Sequence, residues 1–212
     1  VVGSPYAVYE YAVDPHVGGI TGLRHVRAKL REQGKFLILD FVPNHLAPDS
    51  PWAIEHSDFF LQGNEEDLAR HPNDFFRKRD VIFAHGKDPY FSPWPDTLQV
   101  NSFSEGYRQH VTAMLQDIAS DCDGVRCDMA MLLVDRVFQQ TWGQRGGHPR
   151  SKEFWREIIA SVKQAHPHFK FFAEVYWDME WELQQQGFDF CYDKRLYDRL
   201  LHDNVASIKG HL

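Results

Sequence analysis

Short apolar runs alternate with stretches of helical period along this chain. "KFLILDFV" (35–42), "CDGVRCDMA" (122–130) and "FKFFAEVYW" (169–177) read as strands buried on both faces, and "FDFCYD" (188–193) is a weaker fourth. Helical patterns separate them. In "TGLRHVRAKLREQG", Leu23, Val26 and Leu30 share a face, with Thr21 as the expected cap and Gly34 as the stop. Tyr107, Val111, Leu115 and Ile118 form a second stripe, Phe154, Ile158 and Val162 a third, and Leu196 with Leu200 a fourth. Buried strands alternating with amphipathic helices predict an α/β fold with a parallel sheet.

Polar residues collect at the C-terminal ends of the strands: Asp40 to His45, Arg126 to Asp128, and Glu174. Open α/β sheets and (β/α)₈ barrels both build their sites at that edge. No glycine-rich phosphate loop follows a strand, which counts against a nucleotide-binding open sheet. The connection 46–103 is far longer than an ordinary βα loop and is expected to form a long loop or a small inserted subdomain.

Charges at the end of an apolar strand are costly to bury. Arg126 and Asp128 are two residues apart, so their side chains point the same way, and Arg126 is expected to hold Asp128 ionised. Glu174 lies among Phe171, Phe172, Ala173 and Val175, company expected to push its carboxyl up. One ionised and one protonated carboxyl is the pairing that glycoside hydrolysis requires. The alternative is a structural ion network at a barrel rim.

Composition narrows the partners. Of 212 residues, 43% are hydrophobic, which fits one globular domain with a real core. The net charge of −7, with no basic block, argues against nucleic acid. No apolar run reaches the ~18–20 residues of a membrane span, and "VVGSPYAVYE" has no signal-peptide character, so a cytoplasmic setting is the expectation. Cys122, Cys127 and Cys191 offer neither a disulfide framework nor a zinc pattern. Aromatics reach 14%, several in loop-like "DPYFSPWPD" and "EVYWDMEW", and serve either the core or as platforms for flat sugar faces.

The motifs then carry a resemblance. "DFVPNH" (40–45), "GVRCDMA" (124–130), "FFAEVYW" (171–177), "DTLQVN" (96–101) and "GSPYAVYEYAVDPHVGG" (3–19) resemble, in order, motifs of the α-amylase family, glycoside hydrolase family 13. The resemblance implies a partial (β/α)₈ TIM barrel holding roughly strands three to six with a long third βα excursion. Residues 1–212 would then be an incomplete catalytic barrel domain. It implies Asp128 as nucleophile, Glu174 as acid/base, and Arg126, His45, Asp40, Tyr6, Asn101 and Trp177 as substrate contacts. Asn44 would be the metal ligand if calcium binds, although no metal is expected to be required. The family's third carboxylate, in an N-H-D motif, has no counterpart; Asp203 in "HDN" is the nearest string. The implied partner is an α-glucan or oligosaccharide, with a second copy of the chain expected to cover open barrel edges. A truncated barrel that binds glucans without turnover is the alternative. A metal-dependent hydrolase would need paired His ligands such as H-x-H, and His45 stands alone.

Overall fold

The computed structural model describes residues 3–211. In chain order the elements begin with α1 (Gly19–Glu32), β1 (Ile38–Phe41), β2 (His45–Leu46), α2 (Trp52–Glu55), β3 (Gln62–Gly63) and α3 (Glu65–Arg70). Next come β4 (Phe75–Lys78), β5 (Val81–Ala84), β6 (Leu98–Gln99), α4 (Glu105–Asp121), β7 (Gly124–Cys127) and α5 (Asp135–Trp142). The chain continues through α6 (Phe154–Ala165), β8 (Lys170–Ala173), α7 (Glu180–Gln185), β9 (Phe190–Cys191), α8 (Lys194–His202) and α9 (Val205–Lys209). No helix among the described residues is long and apolar enough to cross a membrane.

The four expected strands form one parallel sheet in the order β1-β7-β8-β9. Register makes layers across it. Asp40 pairs with Arg126, Arg126 with Phe172, and Phe172 with Phe190. In the next layer Phe41 pairs with Cys127, Cys127 with Ala173, and Ala173 with Cys191. Side chains alternate along a strand, so these layers face opposite ways. Val125, Cys127, Phe171 and Ala173 join the main core with Val111, Leu115, Ile158 and Val162 from α4 and α6. The stripes expected on α4 and α6 are therefore core stripes. Trp155, absent from the expected stripe, is fully buried and donates its indole N–H to Ala130 O at 2.8 Å.

Three expectations fail at the edges. Helix α1 starts at Gly19 with Gly18 as N-cap, not at Thr21. Its stripe is not core: Leu23 and Leu30 are half-buried and Val26 is exposed, and the strand that follows it, β1, is an edge strand of the sheet. Polar links hold it instead, with Arg27 reaching Asp123 and Ser120 O, and Arg24 reaching Asp121. Gly34 does end the helix: at φ +68° it closes two backbone bonds, Gly34 N to Arg31 O and Lys35 N to Leu30 O, both 2.9 Å. Leu200 on α8 is likewise exposed.

The 46–103 excursion is built, not loose. An antiparallel sheet β3-β5-β4 forms within it, and β2 pairs antiparallel with β6, setting His45 opposite Gln99. Its sequence hid this because the strands are short and turn-separated. Leu61, Phe75, Ile82 and Ala84 form a second, smaller core with Phe138 and Trp142 of α5.

Gly124 shows how tightly the sheet is set. A Cβ there would lie 2.5 Å from Lys170 O and 3.0 Å from the Ile38 side chain. Since Lys170 O belongs to the β8 backbone, relief requires moving a strand. Gly124→Ala is expected to destabilise the chain by about 2–3 kcal/mol, read as a lower urea midpoint at unchanged slope.

Candidate active site

The site grows from the sheet's own hydrogen-bond pattern. Beyond the strand ends the ladder continues for one step: Asp128 N donates to Phe41 O at 2.8 Å, Glu174 N to Cys127 O at 3.0 Å, and Tyr192 N to Ala173 O at 3.0 Å. Asp128, Glu174 and Tyr192 therefore stand in one layer, directly above Arg126, Phe172 and Phe190. The strand sequences place them there by alternation alone.

Arg126 is the hub. Its Nη1 contacts Asp128 Oδ1 and Asp40 Oδ1, each at 2.9 Å, and its Nη2 contacts Glu174 Oε2 at 2.6 Å. Nε donates to Tyr192 Oη at 3.2 Å. The guanidinium also packs against two rings, Tyr6 at 5.4 Å and Tyr192 at 5.7 Å from their centroids. The two carboxyls thus share one cation and face each other on one side of the sheet. A planar guanidinium that bridges two carboxyls in this way fixes both orientations at once.

Arg126 does not hold the Asp128 carboxyl down as expected. Burial pushes the Asp128 carboxyl up, the Glu174 charge pushes it further, and Arg126 offsets only part. Asp128 therefore holds its proton more tightly than an ordinary carboxyl. Nor is Glu174 in apolar company. Its sequence neighbours Ala173 and Val175 are fully buried on the other face. Its own oxygens take polar donors: Tyr176 Oη to Oε1 at 2.7 Å and Met129 N to Oε2 at 2.8 Å. Met129 makes that bond from a left-handed backbone, φ +45°. Ala130 N then bonds Glu174 O at 2.9 Å, tying the β7 loop to the end of β8.

The other expected residues divide. His45 is buried, with its ring 5.2 Å from that of Trp94. Burial lowers its pKa to about 4, with the Asp96 charge pulling the other way, so the imidazole is neutral at ordinary pH. Asp40 and Tyr6 meet Arg126, as above. Trp177, also left-handed at φ +63°, is partly exposed and packs edge-on to Tyr90 at 4.9 Å. Asn101 is not brought in: its Oδ1 accepts from Phe103 N at 3.0 Å, forming a turn before α4. Asp203 caps the exposed end of α8 and makes no contact with the pair. Tyr176 and Tyr192 were missed from sequence, although Tyr192 follows Phe190 by the same two-residue step that separates Arg126 from Asp128.

Asn44 does not fit a calcium ligand here. The ion takes six to eight oxygens. Asn44 Oδ1 already accepts from Gln99 Nε2 at 3.0 Å, and its Nδ2 donates to Gln99 Oε1 at 3.3 Å. No group of three or more His, Cys, Asp or Glu among the described residues is arranged for a metal. The amide pair instead locks β2 to β6 and so positions His45. Dialysis against EDTA is expected to leave the thermal midpoint unchanged, and a fall of several degrees would restore Asn44 as a ligand.

The family model described as alpha amylase, catalytic domain, matches residues 4–187. The chain belongs to the alpha-amylase family. It is 25% identical over 179 residues to an alpha-1,4-glucan:maltose-1-phosphate maltosyltransferase of Pseudomonas aeruginosa, covering 82% of this chain and 23% of that protein. A protein of the same name from Corynebacterium pseudotuberculosis is 26% identical over 183 residues, covering 82% of this chain and 22% of that one. The chain thus spans less than a quarter of these curated relatives. Among solved structures, an alpha-amylase from Lactobacillus plantarum superposes with a TM-score of 0.68 at 22% identity, covering all of this chain and 46% of that one. An alpha-amylase from Geobacillus thermoleovorans, complexed with acarbose, gives 0.66 at 18%, covering 99% and 44%. The four-stranded arc of this family member is part of a TIM barrel.

Proposed function

We propose that this chain supplies the catalytic centre of a retaining enzyme acting on α-glucosidic bonds, by hydrolysis or by transfer to another sugar. The observation that carries the reading is the shared fork: Asp128 and Glu174 on adjacent parallel strands, on one face, joined through Arg126. Retaining glycosidases need two carboxyls close together, one to attack and one to protonate. In the first step Asp128 attacks the anomeric carbon. The bond to the glycosidic oxygen breaks as Glu174 gives that oxygen its proton. In the second, Glu174 takes a proton from water or a sugar hydroxyl, whose oxygen displaces Asp128. Tyr176 and Met129 N hold the Glu174 carboxyl in place. The neutral His45 offers hydrogen bonds without adding charge. The names of the relatives favour an α-glucan as the sugar.

A covalent trap tests this directly. Incubation with 5-fluoro-α-glucosyl fluoride should leave a fluoroglucosyl adduct on the peptide carrying Asp128, found by mass spectrometry. An adduct on another residue, or none over prolonged incubation, would count against Asp128 as nucleophile.

A further inference from the structure

The turn that follows β7 makes two bonds to one residue. Met129 N donates to Glu174 Oε2 at 2.8 Å, and Ala130 N donates to Glu174 O at 2.9 Å. Consecutive amides reach the same residue because Met129 is left-handed, at φ +45° and ψ +44°. A residue other than glycine keeps that backbone only where its surroundings dictate it. On the core side of the turn stands Trp155, whose indole N–H donates to Ala130 O at 2.8 Å. We propose that Trp155 is a positioning residue for the acid/base: its indole holds the turn in the conformation that aims the Met129 amide at the Glu174 carboxyl. The proposal rests on the reading of Glu174 given above and extends it to a residue whose one polar side-chain atom is spent on the turn.

Trp155 has the rigidity for this role. It is fully buried on α6, with the rings of Phe188, Phe154 and Phe41 edge-on to it at 4.9, 5.0 and 6.5 Å. Three rings fix the plane of the indole, so its N–H points in one direction. Phe41 is the last residue of β1, and its carbonyl accepts from Asp128 N at 2.8 Å. The same indole thus packs against the strand end that seats Asp128 and bonds the turn that meets Glu174. A buried indole needs an acceptor. Here the acceptor belongs to the residue next to Met129.

The consequence falls on proton transfer. Glu174 Oε2 is met by Met129 N and by Arg126 Nη2. When the carboxyl gives its proton to the glycosidic oxygen, the negative charge it gains therefore collects where two donors already point. A turn that drifts removes one of the two and loosens the carboxyl's aim.

The test compares a substrate that needs this proton with one that does not. The sugar leaving from maltopentaose must be protonated, whereas the fluoride leaving from α-maltosyl fluoride needs little help. Trp155→Phe keeps a ring in the core and deletes the N–H. It should lower kcat/KM for maltopentaose about tenfold while leaving that for α-maltosyl fluoride within about twofold. Val162→Ala, two turns further along α6 in the same core, controls for lost packing. It should lower the thermal midpoint with the ratio between the two substrates unchanged. Hydrogen exchange should place the cause: amides of 129–134 should exchange about tenfold faster in Trp155→Phe and at the parent rate in Val162→Ala. Should Trp155→Phe fail to fold, benzothienylalanine placed at position 155 keeps the indole's shape without its N–H and gives the same readouts. Equal losses on both substrates, or unchanged exchange in 129–134, overturn the role of Trp155. Labelling of Asp128 by the fluorinated trap then shows that only this proposal has fallen. A parent chain that neither turns over nor takes the label removes the reading of the carboxyl pair and this proposal with it.

Discussion

Asp128→Asn is expected to abolish turnover while making the chain more stable. The first effect follows from the proposed chemistry. An amide keeps the carboxylate's shape but cannot attack the anomeric carbon, so activity towards maltooligosaccharides should fall by roughly 10³–10⁶-fold, the range seen when a nucleophile is removed. The second follows from the electrostatics. The Asp128 carboxyl is buried, faces Glu174, and takes its proton more readily than an ordinary carboxyl. A raised carboxyl binds its proton more tightly folded than unfolded. Its contribution to stability is therefore greatest below the unfolded value near 4, and it is lost as pH rises towards neutrality. An asparagine has no proton to lose. The variant and the parent should unfold at similar urea concentrations at acid pH. At pH 8 the variant should be more stable by about 1–3 kcal/mol, the usual scale of such a linked shift. Lower stability of Asp128→Asn at pH 8 would mean that Arg126 more than offsets burial and the Glu174 charge, so that the ionised carboxylate stabilises the fold.

The strand core of this fold was legible because it obeys two periodicities at once. The runs around Leu39, Val125 and Phe171 are apolar on both faces, and Ile158 and Val162 repeat at helical spacing. Helix α1 misled because a stripe such as Leu23, Val26 and Leu30 states a preference for burial, not the presence of something to bury it. The inserted sheet was illegible for another reason. Strands as short as His45–Leu46 and Leu98–Gln99 carry no period, and their pairing spans more than fifty residues of sequence. The structure brings Asp128 and Glu174, singled out by type and position, to one face beside Arg126, but the Asp128 carboxyl is raised where the sequence suggested it would be held ionised. Sequence neighbours suggested an apolar shell around Glu174, while alternation sends Ala173 and Val175 to the opposite face. The shell that matters comes from Arg126, Met129 and Tyr176. Asn101 shows the converse error: a polar residue in a matched motif serving a turn.

Arg126 should prove the most consequential residue for stability. Removing it by Arg126→Met keeps much of the apolar stem but leaves Asp40, Asp128 and Glu174 without their shared cation. Asp128 and Glu174 are largely buried, so water cannot replace what is lost. Taking one partner from a buried ion cluster costs about 3–5 kcal/mol. The cost should depend on pH in a defined sense. At acid pH one or both carboxyls take a proton, repulsion fades, and the variant approaches the parent. As pH rises and Asp128 ionises, the gap widens. A double variant separates this from lost packing. If charge repulsion is the cause, Asp128→Asn introduced into Arg126→Met should recover about half or more of the loss at pH 8. The same change in the parent background yields only the smaller gain described above, and the difference is the coupling energy of the cluster. If the two effects simply add, Arg126 stabilises the sheet end through its contacts with Tyr6 and Tyr192 and not as the counter-charge of the carboxyl pair.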